Sequence, residues 1–158
     1  MNRTCVLEGD GFRISFEMEA LKTEKDDLTA KKYVDLVVEI KLDSTLKGLT
    51  MESVPTITAI KDLHNLTQYL EQHLAKLAET PNKESWTFVA GDGFQLQAFE
   101  GSLFLEPASE FTLRCMVNVG TSSEDGTSVY AGAEGVVTIK DTIAFVASMR
   151  AALAELAS

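Results

Sequence analysis

The chain reads twice. Gly9-Asp10-Gly11-Phe12 recurs as Gly91-Asp92-Gly93-Phe94, and Ile60-Lys61-Asp62 recurs as Ile139-Lys140-Asp141. Sliding the sequence by 79 positions keeps its hydrophobic pattern in phase. Val34, Leu36, Val38 and Ile40 then fall on Leu113, Cys115, Val117 and Val119. Leu66, Leu70, Leu74 and Leu77 fall on Phe145, Met149, Leu153 and Leu156. The Gly-Asp-Gly-Phe pair stands at an offset of 82, which a three-residue difference in the loop before Val34 accounts for. Self-similarity at a fixed period constrains a fold more than any single segment does. It predicts one domain, 1–158, made of two pseudo-repeats, 1–80 and 81–158.

Each repeat is legible locally. Thr4 to Glu8 and Phe12 to Glu19 flank Gly9-Asp10-Gly11, and an Asp-Gly pair between alternating segments signals a hairpin. Phe12, Ile14, Phe16 and Met18 alternate with Arg13, Ser15, Glu17 and Glu19, the period of a half-buried strand. Lys22 to Lys32 reads as a charged surface loop. Tyr33 to Asp43 is the clearest strand, and Leu46 to Val54, ended by Pro55, is read as the next. A helix is expected from about Thr58, as N-cap, to Glu79, with Ile60, Leu63, Leu66, Leu70, Leu74 and Leu77 at spacings of three or four. Thr80-Pro81-Asn82 stops it.

The second repeat follows the same order. Trp86 to Ala90 and Phe94 to Phe99 make the hairpin, and Phe111 to Val119 and Ser128 to Val137 are strands. A last helix starts at Thr138, with Asp141 as its capping partner. The predicted class is α+β: ββββα twice, antiparallel sheet or sheets, with two helices packed on one face.

Composition narrows the partners. Twenty-four acids against fourteen bases give a net charge of −10. Phosphate binding needs a basic patch, so nucleic acid and an anionic membrane surface are not expected as partners. A basic protein is the partner such a field steers best. The charge is uneven: residues 1–80 hold 24 charged side chains and residues 81–158 hold 14. The second half also places Met116 and Tyr130 opposite their strands' main apolar stripes. These two are the candidate interaction residues, facing the other half, a second copy or a partner. The first eight residues are charged rather than signal-like, no apolar run has membrane length, and Cys5 and Cys115 stand far apart. The expected setting is therefore cytoplasmic, with both thiols reduced.

No catalytic or metal motif appears. His64 and His73 lie nine apart on one helix, on opposite faces, and cannot share a metal. The Gly-Asp-Gly segments lack a Walker lysine and precede no helix. Ser122-Ser123-Glu124-Asp125-Gly126 lacks the alternating ligands of a calcium loop, and Glu24, Asp26 and Asp27 sit among lysines. No cofactor is expected.

The layout has one further implication. Tyr33-Val34-Asp35-Leu36-Val37-Val38-Glu39-Ile40 forms a strand and Leu49-Thr50-Met51-Glu52 a second. Pro55, a Thr-started Leu-rich helix through Leu63, Leu66 and Leu70, and a new hairpin near Phe88 follow. This order resembles that of small immunity-type proteins associated with WapI-like bacterial toxins. The family's strand tryptophan is missing, with Leu36 and Val37 in its place. The resemblance implies a non-catalytic protein that neutralises a cognate toxin by binding it, and it carries over no individual residue.

Three functions follow as expectations. The first is a non-enzymatic protein-binding domain acting through an acidic or strand-edge surface. The second is a small-ligand or enzymatic role in a groove between the halves, and the third is a structural homo-oligomer.

Overall fold

The computed structural model describes residues 2–21, 32–102 and 109–158. Nearly all of the expected Lys22 to Lys32 loop, with Glu24, Asp26 and Asp27, lies outside them. The fold is α+β, with two antiparallel sheets and two helices. The first sheet holds β1 (Asn2–Gly9), β2 (Phe12–Ala20), β3 (Tyr33–Leu42), β4 (Thr50–Glu52) and β5 (Thr56–Ala59). Helix α1 (Ile60–Glu79) follows directly. The second sheet holds β6 (Phe88–Ala90), β7 (Phe94–Ser102), β8 (Glu110–Thr121) and β9 (Ser128–Thr138), in that order, before α2 (Ile139–Leu156).

The first half departs from the expected four strands. Leu46 to Val54 is not one strand: a 3-10 turn at Ser44–Leu46 precedes the short β4. Both β4 and β5 pair with β3, in registers that differ by one residue. The break lies at Ser53-Val54-Pro55, where proline has no N–H to give a ladder. Ser53 repairs it. Its N–H donates to the Val38 carbonyl at 2.8 Å, and its Oγ accepts from the Val38 N–H at 2.9 Å. Thr58 is buried in β5 and is no cap; Ala59 takes that position, without a side-chain bond. Thr138 does cap α2: its Oγ1 accepts from the Asp141 N–H at 3.0 Å and donates to the Asp141 carboxylate at 2.8 Å.

The two Gly-Asp-Gly turns also differ. In the first, Gly9 pairs with Phe12, and Gly11 alone of the turn has positive φ, at 81°. In the second, the loop is one residue longer and Gly91 takes the positive φ, at 53°.

The strand register shifts the equivalence between halves. Tyr33 faces Ala59, the last residue before α1, and Glu110 faces Thr138, the last before α2. Val34, Leu36, Val38 and Ile40 therefore correspond to Phe111, Leu113, Cys115 and Val117, two residues from the sequence slide. All eight are buried, whereas Val119 is 42% exposed. A bulge between Asn118 and Gly120 turns Val119 out.

The helices cross between the halves. α1 packs on β6 and β7 of the second sheet, and α2 runs along β1 of the first. Arg3 on β1 pairs with Glu155 on α2, and Ser148 on α2 donates to Cys5 Sγ. Arg150 joins the helices by a bidentate pair to Glu71, at 2.7 and 2.6 Å. One apolar cluster takes residues from both sheets and both helices, with Phe16 against Phe94 at 5.2 Å and Phe145 at 5.3 Å between ring centroids.

Candidate functional site

The junction between the halves is filled rather than cleft. Below the aromatic cluster, each hairpin turn meets the other half. The Asp10 N–H donates to the Val136 carbonyl at 2.8 Å, and the Phe12 ring lies where a side chain on Gly135 would stand. Gly93 sits equally close to Thr56. Buried Asn118 ties the second turn down: its Nδ2 donates to the Asp92 carbonyl at 2.7 Å, and its Oδ1 accepts from the Gly120 N–H at 2.9 Å. Its backbone N–H donates to the Gly93 carbonyl at 2.9 Å, and its carbonyl accepts from the Val54 N–H of the first half at 2.8 Å.

Hollows remain at the margins of that junction. One of about 580 Å3 lies at the start of α1, lined by Tyr33, Ile60, Lys61, His64, Asn65 and Gln68 among others. Another, of about 300 Å3, lies where the first turn meets β9 and gathers Glu8, Asp10, Glu110 and Asp141. Among the described residues no group of three or more His, Cys, Asp or Glu is placed to hold a metal. No described helix is long and apolar enough to cross a membrane.

The titratable interior is structural in geometry. His64 is exposed and His73 is fully buried. His73 Nδ1 lies 2.7 Å from Ser85 Oγ, its ring packs 4.9 Å from Phe111, and its Nε2 makes no hydrogen bond. Burial holds its pKa below the usual imidazole value; the Phe99 backbone offsets this in part, and the Lys76 charge adds to it. Both cysteines are free and buried. Burial pushes the Cys115 thiol up to about 12 and raises that of Cys5, against a small opposing contribution from Ser148. Neither is poised as a nucleophile. Tyr69 replaces a missing strand beside β7: its hydroxyl accepts from the Ala98 N–H at 2.9 Å and donates to the Trp86 carbonyl at 2.8 Å.

Two sheet faces turn to solvent, and they are chemically unlike. On the second sheet, Met116 pairs across from Gly132 and Tyr130 across from Asn118, so the two candidate residues are diagonal neighbours on one face. Both are half-buried. Met116 lies over Gly132 and lines a hollow of about 310 Å3 with Gln95, Gln97 and Arg114. The Tyr130 hydroxyl reaches the Asp92 carbonyl at 3.4 Å. One ion pair, Arg114–Glu134 at 2.6 Å, crosses this face, and the Arg114 guanidinium lies 4.8 Å from the Phe99 ring.

The first sheet's outer face is acidic. Glu19 stands directly opposite Asp35, and Glu39 directly opposite Glu52, with Glu17 beside them across from Val37. Among the described residues, Glu17, Asp35, Glu39 and Glu52 form no ion pair. Lys41 and Arg13 lie at the far end of the face, where Glu8 holds Arg13 at 2.7 Å. Alternation in the sequence placed these acids on the outward side of their strands. It could not pair them, because the pairing depends on the β2–β3 and β3–β4 registers.

No family model matches the chain, and no curated protein matches it.

Proposed function

We propose that the protein is a non-enzymatic protein-binding domain that takes a basic partner across the outer face of its first sheet. The carrying observation is the like-charge cross-strand contact of Glu39 with Glu52, with Glu17 on the same face. Like charges directly opposite each other destabilise a sheet. The like-charged pair at the far end of the face, Arg13 opposite Lys41, is relieved by Glu8, which holds Arg13 at 2.7 Å, and on the second sheet Arg114 opposes Glu134. The acidic face therefore costs stability, and a cationic partner recovers that cost on docking. The same field repels nucleic acid and anionic membranes. Two buried free thiols fit a cytoplasmic setting. Layout resemblance to WapI-associated immunity proteins supports the same reading, with a toxin as the basic partner.

The groove reading has less support, since Phe16, Phe94 and Phe145 occupy the junction where a ligand would sit. The test is titration calorimetry with a lysine-rich peptide. Glu17→Gln, Glu39→Gln and Glu52→Gln together are expected to weaken binding roughly tenfold or more, about 1.4 kcal/mol. Neutralising Glu79, Glu84 and Glu124, which lie off this face, should leave most of it. Equal losses in the two triple variants would reject the site.

A further inference from the structure

The edges of the two sheets are not equally protected. Along β1 runs α2, with Arg3 and Cys5 tied to it by Glu155 and Ser148. On the far side of the first sheet, β4 and β5 are short and broken. At the other end of the second sheet, β6 is three residues long, and Tyr69 and Ser85 occupy the neighbouring backbone groups of Ala98. β9 is different: it is an eleven-residue edge strand.

Its open groups can be assigned. The Val136 carbonyl accepts from Asp10 across the outer edge. β9 keeps one register with β8 from Thr138 to Tyr130. Backbone groups alternate sides along a strand, so Glu134, Gly132 and Tyr130 turn their N–H and C=O groups to the same edge as Val136. Among the described residues nothing meets those groups there. Edges are normally blunted by lysine, proline, bulges or a covering element. Over Tyr130–Glu134 this strand has none of these, and its one charge, Glu134, is held by Arg114 on β8. The Ala-Gly-Ala run at 131–133 lets another backbone come close.

We infer that this edge pairs two copies of the chain, antiparallel, about a twofold axis near Gly132. The occupant follows from self-complementarity. A twofold there sets Gly132 opposite its own counterpart and Tyr130 opposite the counterpart of Glu134, while the Tyr130 hydroxyl stays on Asp92 and the Glu134 carboxylate on Arg114 within each copy. The two Glu134 carboxylates stay apart, and no like charges oppose. The Gly9–Asp10 turn bounds the pairing at Val136, which fixes how far the second copy can slide. The acidic faces of the first sheets remain open, so the dimer stands whether or not a basic partner binds them. The charge-poor half becomes the assembly half, and Tyr130 acts as an edge contact.

Sedimentation across a dilution series tests this, with Tyr130→Glu and Tyr130→Lys as paired variants. Tyr130 is half-buried with one long hydrogen bond, so thermal unfolding should show both variants folded. The dimer is expected for the parent chain and for Tyr130→Lys, where the new cation meets Glu134. Tyr130→Glu should be monomeric at concentrations where the parent is dimeric, and the Gly132 amide should lose its concentration-dependent exchange protection. A parent chain that stays monomeric overturns the proposal. So does a dimer that both variants weaken equally, because that interface does not use this pairing.

Discussion

At the scale of single residues, the buried polar groups decide more than the motifs do. Asn118 reaches five partners at the join of the halves, three of them through its side chain, and nothing in Val117-Asn118-Val119 marks it beyond a polar residue interrupting a strand. Removing such a group leaves its buried partners unmade. Asn118→Ala is expected to cost about 2–3 kcal/mol, read from the urea midpoint. His73 gives a pH signature. Its folded pKa lies below the unfolded value, so the unfolded chain binds the proton more readily. Stability is therefore full above the unfolded imidazole range and falls as pH drops through it, by up to about 1.4 kcal/mol per pH unit. Urea midpoints at pH 7.5 and 5.5 should show the fall, and His73→Leu should lose this part of it. His64 and His73 were separable in the sequence by helical phase, but which of them is buried depends on α1 packing against the second sheet.

At the scale of elements, what the sequence shows is periodicity, and what it hides is register. The alternation in β3 and β8 was plain from Val34 and Leu113 onward. A two-residue slide preserves that alternation, so sequence alone could not tell Val34–Leu113 from the actual Val34–Phe111 equivalence. β5 was missed for a related reason: Thr56-Ile57-Thr58-Ala59 is short and runs straight into the helix, so Thr58 looked like its cap. Thr138 was legible because threonine and Asp141 form a reciprocal pair at fixed spacing. Thr138→Ala should cost about 1 kcal/mol. Gly132→Ala should cost more in the same denaturation series, since its new Cβ meets the Cys115 carbonyl backbone, which cannot swing away.

At the scale of the whole molecule, the halves are exchanged rather than stacked. α1 belongs by sequence to the first sheet and packs on the second, and α2 does the reverse. Each half alone would expose the stripe that its neighbour's helix covers, and neither is expected to fold when residues 1–80 or 81–158 are expressed separately; circular dichroism of each fragment checks this. The function also sits at this scale, because the acidic face exists only once β3 has gathered β2 and β4 around it. Glu52→Lys tests that face most directly, with thermal stability and affinity for a lysine-rich peptide measured on the same sample. Relief of the Glu39 contact predicts a protein more stable by ~0.2–1 kcal/mol that binds the peptide more weakly. A variant that is no more stable, or that binds as tightly as the parent, would contradict the claim that this face is held acidic for a partner.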